Sequence, residues 1–325
     1  MRTKLGTSLL ALATLSLASL FAAGCRHSSA KPVKLAFVTN NTSSFWQLAA
    51  AGVHKYEQEG KVQVDVKLPP NGTLDEQNQI LQNLASQGYD AIAVSAIAPT
   101  DQTSKFNDIA AHTQLLTFDS DAPKSNRLLY IGTNNYAAGK ALGGEIVKLL
   151  PNGGKIAVFV GTFAADNAAQ REKGIEDAIA GHGIEVVDKR EDNTDRARAR
   201  SNVEDIVNAR HDLSMVVGLW NYNGSAIAAA LEGLGKKGKV LSAVFDEDEG
   251  TLDGIANGTI QVTVVQKPFM FGYLASKWMH DLATKGDAAK AALPPERIID
   301  TGVEVIDKDN LKEFRDKLAE MRKSG

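Results

Sequence analysis

Apolar strand-like runs alternate with helix-like segments along nearly the whole chain, and this alternation limits the possible folds more than any other feature. Most of the runs are continuously apolar, as strands are when both faces of their sheet are covered. Parallel neighbours need a crossover of about a dozen residues, usually a helix. The pattern therefore predicts an α/β fold with parallel, doubly wound sheets. With 325 residues, 43% of them hydrophobic, the chain is long enough for two cores.

The first half of the alternation extends to about residue 132. We predict its strands at 33–39, 62–68, 91–95, 115–118 and 128–131. The run 62–68 alternates apolar and polar residues, which predicts an edge strand. The polar segment Gly132-Thr133-Asn134-Asn135 then offers a cap for a helix beginning near residue 136. We interpret this segment as the end of one lobe and the beginning of another.

After residue 132 the same alternation begins again. We predict helices at 135–150, 167–180, 195–209, 223–234, 248–256, 268–284 and 310–322, and strands at 155–160, 184–188, 215–219, 240–245, 260–265, 297–299 and 303–306. Polar or aromatic clusters follow most strands in both halves, beginning with Asp119-Ser120-Asp121 directly after the run 115–118. Ligands of open α/β sheets bind at the carboxyl ends of the strands, so these clusters predict a ligand cleft.

The N-terminus has the organisation of an export signal: a basic start, an apolar run at 9–21 and small residues directly before Cys25. Cys25 is the only cysteine in the chain, so no internal disulfide can form. This arrangement resembles a bacterial lipobox, although Ala22 stands where Leu is usual. We predict a signal peptide over 1–24, lipidation of Cys25 and a tether over 25–32. The alternatives are an ordinary secretory signal with a stray thiol and an uncleaved anchor helix. We favour lipidation because the apolar run is shorter than the roughly 20 residues that a membrane-spanning helix needs.

Charge and motif spacing argue against several other functions. The net charge of −3 gives no electrostatic footprint for nucleic acid. The Gly-Gly-Lys of 153–155 precedes a strand instead of following one, so it is not a phosphate loop. The acidic run 246–249 lacks the spacing of a calcium loop, and the six histidines show no metal-ligand spacing. We therefore predict no metal, no cofactor and no enzymatic activity, with an enzyme on the same fold as a rival that a turnover assay would detect.

Several phrases occur in an order that resembles a known family. They are Thr-Phe-Asp-Ser-Asp-Ala-Pro (117–123), Ile-Gly-Thr-Asn-Asn-Tyr-Ala-Ala-Gly (131–139), Gln-Arg-Glu-Lys-Gly (170–174), Asp-Asn-Thr-Asp-Arg (192–196), Gly-Leu-Trp-Asn-Tyr-Asn-Gly (218–224), Val-Phe-Asp-Glu (244–247) and Val-Val-Gln-Lys-Pro (264–268). From about Val33 to Val305 the chain is similar to the type I periplasmic binding proteins, and among them to the ribose- and galactose-binding lipoproteins of ABC importers.

The resemblance implies two lobes joined by a hinge of three crossings, near Gly132, Gln266 and residue 297. It assigns 33–132 plus 267–296 to the N-terminal lobe and 133–266 plus 297–325 to the C-terminal lobe. The implied function is capture of a monosaccharide-like ligand between the lobes and its delivery to an inner-membrane ABC permease. The implied protein is an exported, lipid-anchored monomer in the periplasm or at the cell surface. A sugar-sensing partner of a chemoreceptor or histidine kinase is the alternative.

Carried over position by position, the resemblance also implies a ligand site. Phe45 and Trp46 form its aromatic pair, Asp119 accepts from two hydroxyls and Arg171 donates from the second lobe. The remaining residues are Asn221, Asp246 and Gln266, with Thr39 and Ser95 at weaker positions and Trp220 beside Asn221. Structural alternatives stay open: Trp46 can pack as a lid, Asp119 can cap a turn and Arg171 can form an ion pair on a solvated helix face.

Two departures from the family pattern concern the identity of the sugar. Ser120 stands where the ribose-binding pattern has an arginine, and the turn 193–195 lacks the aromatic expected there. We therefore expect a rebuilt pocket and do not infer ribose as the ligand.

Overall fold

Twelve strands and eleven helices make up the fold in a computed structural model that describes residues 32–323. The strands are β1 (Leu35–Val38), β2 (Val64–Lys67), β3 (Ala91–Val94), β4 (Gln114–Phe118), β5 (Leu129–Gly132), β6 (Gly154–Val160), β7 (Ile184–Glu191), β8 (Leu213–Gly218), β9 (Leu241–Phe245), β10 (Val262–Val265), β11 (Ile298–Asp300) and β12 (Glu304–Ile306). The helices are α1 (Ser44–Gly60), α2 (Leu74–Ser86), α3 (Pro99–Ala110), α4 (Asn135–Leu149), α5 (Asp166–Ile179), α6 (Arg196–Ala209), α7 (Asn221–Gly233), α8 (Glu249–Asn257), α9 (Pro268–Lys285), α10 (Asp287–Ala291) and α11 (Leu311–Lys323).

The strands form two six-stranded sheets with corresponding spatial orders. The first has the order β11-β5-β4-β3-β1-β2 and the second the order β12-β10-β9-β8-β6-β7. All neighbours are parallel except β12, which runs antiparallel to β10. Strand β2 lies at an edge, in agreement with its alternating sequence. The predicted fold of two doubly wound lobes is confirmed.

The inner strands of each sheet are buried on both faces, which explains why their sequences are continuous apolar runs. In β1, Leu35 and Phe37 belong to the cluster on one face, and Ala36 and Val38 belong to the cluster on the other. Strand β6 divides in the same way, with Phe159 on one face and its apolar neighbours on the opposite face. Helices packed on these faces exclude water from the strands, so the polar groups of each lobe concentrate at the strand ends.

The chain passes between the sheets three times. It leaves the first sheet after β5 and returns after β10, and α9 then packs on the first sheet through Phe271, Ala275 and Met279. The third crossing lies between Asp300 and Glu304, because β11 pairs with β5 and β12 pairs with β10. The prediction of a crossing near residue 297 was therefore wrong by a few residues. Each of the two short strands can add to a sheet edge, and the sequence does not indicate which edge each one joins.

Part of the predicted organisation lies outside the described residues. This applies to the export signal over 1–24, the lipidation of Cys25 and nearly all of the tether over 25–32. Within residues 32–323, no helix combines the length and apolar character needed to cross a membrane.

Candidate functional site

A cavity of about 500 Å³ lies between the two lobes, at the carboxyl ends of their strands. It is lined by most of the residues proposed from sequence: Phe45, Trp46, Asp119, Arg171, Trp220, Asn221, Asp246 and Gln266. The lining also includes polar groups that were not singled out, among them Asn40, Asn41, Asn167, Thr194, Arg196 and Tyr222. We call this space the central cavity.

Phe45 and Trp46 form one wall at the beginning of α1. Their rings meet edge to face with centroids 4.9 Å apart, and Trp46 also packs edge-on against Phe118 at 5.8 Å. Phe45 in turn contacts Phe271 of α9 at 6.2 Å. Both rings are buried in the core of the first lobe while they line the cavity. The packing role and the wall role therefore coexist, and the core holds the wall rigid.

Asp119 and Asp246 occupy equivalent positions, because they follow the equivalent strands β4 and β9. Both have left-handed backbones, with φ of 56° and 70°. A non-glycine residue adopts this conformation at a cost of about 1–2 kcal/mol, and Asp tolerates it better than most. The neighbouring strand fixes each turn: the Tyr130 hydroxyl donates to the Asp119 carbonyl and the Thr263 hydroxyl to the Asp246 carbonyl, both at 2.8 Å. Each lobe thus contributes one carboxylate to the cavity.

The two carboxylates are buried enough to resist ionisation. Burial raises the pKa of Asp119 to about 6, against a hydrogen bond from the Ser95 hydroxyl at 2.9 Å and the charge of Arg171. Burial likewise raises the pKa of Asp246, against the charge of Arg171 and a hydrogen bond of 3.0 Å from the Gln266 amide. Carboxylates with few donors have unused acceptor capacity, which suits a ligand rich in hydroxyl groups.

Arg171 is the cation between these carboxylates. Its side chain is 2% exposed, its Nε donates to Asn135 Oδ1 at 2.9 Å and its Nη1 donates to the Leu219 carbonyl at 2.7 Å. Nη1 lies 3.9 Å from Asp246 Oδ2. Burial lowers the pKa of Arg171, while Asp246 and Asp119 oppose that shift. The alternative of an ion pair on a solvated helix face was therefore wrong.

Close packing of α4 on α5 positions Arg171. A Cβ on Gly139 would lie 2.1 Å from the Arg171 carbonyl oxygen, and a Cβ on Gly174 would lie 2.3 Å from the Tyr136 carbonyl oxygen. No side chain fits at either point. The two glycines therefore set the distance between the helices, and through it the depth of the guanidinium.

Trp220 and Tyr222 form the aromatic part of the second-lobe wall. The Trp220 indole donates to Asn167 Oδ1 at 3.2 Å, and a Cβ on Gly161 would lie 2.0 Å from the Trp220 ring. The Tyr222 hydroxyl donates to Asp192, next to the turn that lacks the expected aromatic. Tyr222 follows β8, which β6 separates from β7 in the sheet, and it supplies an aromatic side chain beside the turn where the sequence lacks one.

Thr39 and Ser95 do not line the central cavity. Both are fully buried, and the Thr39 hydroxyl donates to the Asn41 carbonyl at 2.8 Å. The amide of Gln77 donates to the carbonyls of Thr39 and Ser95, at 2.9 and 2.8 Å. Ser95 therefore acts through Asp119, and Thr39 through the loop at Asn41. Their assignment as direct ligand contacts does not hold in this structure, because both lie beneath the cavity wall.

No group of three or more metal-ligating side chains occurs in the described part of the chain.

Known proteins with similar sequences and structures are sugar-binding proteins, in agreement with the hydroxyl-binding chemistry of the cavity. The family model described as a periplasmic binding protein domain matches residues 35–288. The ribose import binding protein of Bacillus subtilis (strain 168) is 24% identical over 250 residues, which cover 75% of this chain and 79% of that protein.

Two solved structures are similar over most of their length. An ABC transporter solute-binding protein from Burkholderia graminis C4D1M, in complex with D-arabinose, is 32% identical with a TM-score of 0.81, covering 87% of this chain and 97% of that chain. A glucose-galactose binding protein from Geobacillus stearothermophilus is 26% identical with a TM-score of 0.80, covering 87% and 99%.

Proposed function

The chain belongs to the type I periplasmic sugar-binding proteins, and on that premise we propose that it is an exported receptor that delivers a monosaccharide-like ligand to an ABC permease. The observation that supports this proposal is the central cavity, in which Asp119 of one lobe and Asp246 of the other flank Arg171. Neighbouring sugar hydroxyls both donate and accept, so alternating carboxylates and cationic or amide donors match them.

The proposed roles follow from the chemistry of each wall. The two carboxylates accept from hydroxyls, and Arg171, Asn221 and Gln266 donate to ring and hydroxyl oxygens. Phe45 and Trp46 offer an apolar surface to the C–H face of the sugar, with Trp220 on the second-lobe side. A ligand that bridges both lobes binds the closed form more tightly and shifts the population toward it. The permease would recognise that closed form.

The remaining parts of the proposal concern the context of this site. We propose no catalytic turnover, since the relatives are named as binding proteins. We also propose a lipid anchor at Cys25 and a monomeric state. Loss of growth of a deletion strain on the bound sugar would identify a transport role, whereas unchanged growth with lost sugar-dependent gene expression would identify a sensory one.

A thermal-shift screen tests the sugar-binding function. The purified protein is heated with D-arabinose, D-ribose, D-galactose, D-glucose and polyols. A ligand at 100 times its Kd stabilises the folded state by about 2.7 kcal/mol. We expect at least one sugar to raise the Tm, and we expect Asp119→Asn and Asp246→Asn each to remove that increase. Asp316→Asn on the exposed face of α11 is the control and should leave it unchanged. Equal shifts in all four proteins would contradict the assigned site.

A further inference from the structure

A second, larger cavity opens directly from the central one. Its volume is about 810 Å³, and it shares with the central cavity the lining residues Asn40, Ile97, Asp119, Asn167 and Trp220. Small-ligand sites occupy about 300–1,000 Å³, so either cavity alone is large enough for a ligand. The pair therefore provides more room than one sugar ring requires. We call the second space the hinge-side cavity.

Its position indicates that the space persists when the lobes close. Thr133 and Asn134 line it at the first crossing of the chain between the lobes, and Ile298 and Asp300 line it just before the third. In a hinge motion, displacement grows with distance from the axis, so walls beside the crossings move least. Closure of the lobes around a sugar at Asp246 would thus narrow the space far from the crossings more than it narrows the hinge-side cavity.

Hydrogen-bonding groups without partners in the described chain line this cavity. The Ser120 hydroxyl and the Gln170 amide line it, and neither has a hydrogen-bond partner among residues 32–323. Asn167 accepts from the Trp220 indole through Oδ1, which leaves its amide nitrogen free to donate. These groups belong to both lobes. They resemble the central cavity in chemistry, since each can exchange hydrogen bonds with a hydroxyl group.

The charges of the hinge-side cavity select against an anionic group. Among residues 32–323, Arg127 is the only cation in its lining, and it binds Asp121 through two bonds of 2.5 and 2.6 Å while its Nη1 donates to the Arg297 carbonyl at 2.9 Å. Asp101 and Asp166 line the cavity without ion-pair partners in the described chain. A phosphate or carboxylate placed here would therefore meet carboxylates and no unpaired cation of the described chain.

We propose, building on the sugar-binding function above, that the monosaccharide-like ring bound in the central cavity is one part of a neutral disaccharide or glycoside. One sugar ring occupies the central cavity between Asp119, Arg171 and Asp246. The glycosidic bond passes Trp220, whose ring lines both cavities, and the second neutral, hydroxyl-bearing moiety occupies the hinge-side cavity.

Calorimetric titration of the purified protein tests this assignment. The probes are D-galactose, D-glucose and L-arabinose, beside lactose, melibiose, maltose and arabinobiose, which contain these rings. We expect at least one disaccharide to bind about tenfold or more tightly than its component monosaccharides. Ser120→Ala should weaken the affinity for that disaccharide about fivefold, which is the effect of one hydrogen bond. The affinity for the monosaccharide should change by less than about twofold.

A bulky substitution separates the two cavities more sharply. Gln170→Trp on the exposed side of α5 places a larger, rigid ring in the lining of the hinge-side cavity. It should therefore weaken binding of the disaccharide at least tenfold and leave binding of the monosaccharide unchanged. Ala169→Trp, also exposed on α5 but outside both cavities, is the matched control and should change neither affinity. The proposal of a second moiety would be overturned if monosaccharides bound as tightly as every disaccharide and Gln170→Trp had no effect. The sugar-binding function would then remain intact. Failure of all the sugars to bind would overturn both.

Discussion

Glu247 is a buried carboxyl that the proposed site does not use, and its removal should stabilise the protein. The side chain is 6% exposed, and its Oε2 has no hydrogen-bond partner in the described chain. Burial raises the pKa of Glu247 to about 8, the adjacent Asp246 raises it further and Arg322 opposes the shift. We therefore expect Glu247→Met, which keeps an unbranched side chain of similar length, to increase the free energy of unfolding.

The magnitude follows from the two pKa values. Below the unfolded pKa of 4.5 the carboxyl is neutral in both states, and stability is at its maximum for this group. Between pH 4.5 and about 8 only the unfolded state releases the proton, so the parent protein loses about 1.4 kcal/mol per pH unit. At pH 7 the accumulated loss is about 3 kcal/mol, which the Met variant avoids.

Urea denaturation followed by tryptophan fluorescence, at pH 4, 5.5, 7 and 8.5, measures this difference. The advantage of Glu247→Met should grow from pH 4 to pH 8 and then remain constant. Glu249→Met, which changes an exposed neighbour, should show no such growth. A Glu247→Met advantage that is the same at every pH would refute an elevated pKa, even if the variant were more stable throughout.

Two further predictions concern the helices that hold Arg171 and the charge of the site. Gly139→Ala should destabilise the protein by about 1–3 kcal/mol, because the new Cβ overlaps the Arg171 carbonyl. Gly144→Ala on the same helix is the control: its Cβ meets nothing within 4 Å, and it should stabilise the protein by up to about 1 kcal/mol. Chemical denaturation that finds Gly139→Ala the more stable variant would contradict the close approach of α4 and α5. Burial raises the pKa of Asp119 to about 6, and the role proposed for Asp119 is to accept from the ligand when ionised. Sugar affinity should therefore be constant above pH 7 and fall, by up to about tenfold per pH unit, below pH 6. Calorimetry that finds no fall would exclude an ionised Asp119 as acceptor.

The fold was predictable from sequence because burial on both faces leaves a strong local signature. Strand β1 is apolar throughout and β6 is apolar from residue 156 onward, and the helices between such strands favour parallel pairing. The strand ends were predictable for a related reason, since polar side chains in such sheets occur where the helices stop covering them. Asp119 and Asp246 could therefore be placed at strand ends from the sequence, whereas their selection as site residues depended on the family resemblance. The short helix α10 was not predicted, because five residues carry too little periodicity.

Some features of the site and the hinge depend on contacts between segments that are distant in the sequence, and no local sequence pattern indicates those contacts. Thr39 and Ser95 have the polarity and position of ligand contacts, yet tertiary packing places them beneath the wall. Arg196 and Gln170 read as ordinary exposed positions at or near helix N-termini, and only the facing of the two lobes makes them part of cavities. The third crossing was misplaced for the same reason, because it depends on edge pairing between distant segments.

The left-handed backbone at both site aspartates allows charge and conformation to be tested separately. Asn tolerates this conformation about as well as Asp, so Asp119→Asn removes the charge without adding strain. Ala tolerates it less well, so Asp119→Ala removes the same charge and adds about 1 kcal/mol of strain. Because the buried carboxyl has a raised pKa, loss of its charge should itself favour the unliganded folded state at pH 7.

We therefore expect both variants to lose sugar binding, and Asp119→Asn to be at least as stable as the parent without ligand and more stable than Asp119→Ala. The same order should hold for Asp246. Thermal melts without sugar, paired with titrations, measure the two effects in one set of proteins. An Ala variant as stable as the Asn variant would show that the left-handed turn stores no strain, and an Asn variant that still binds sugar would show that the carboxylate charge is not required.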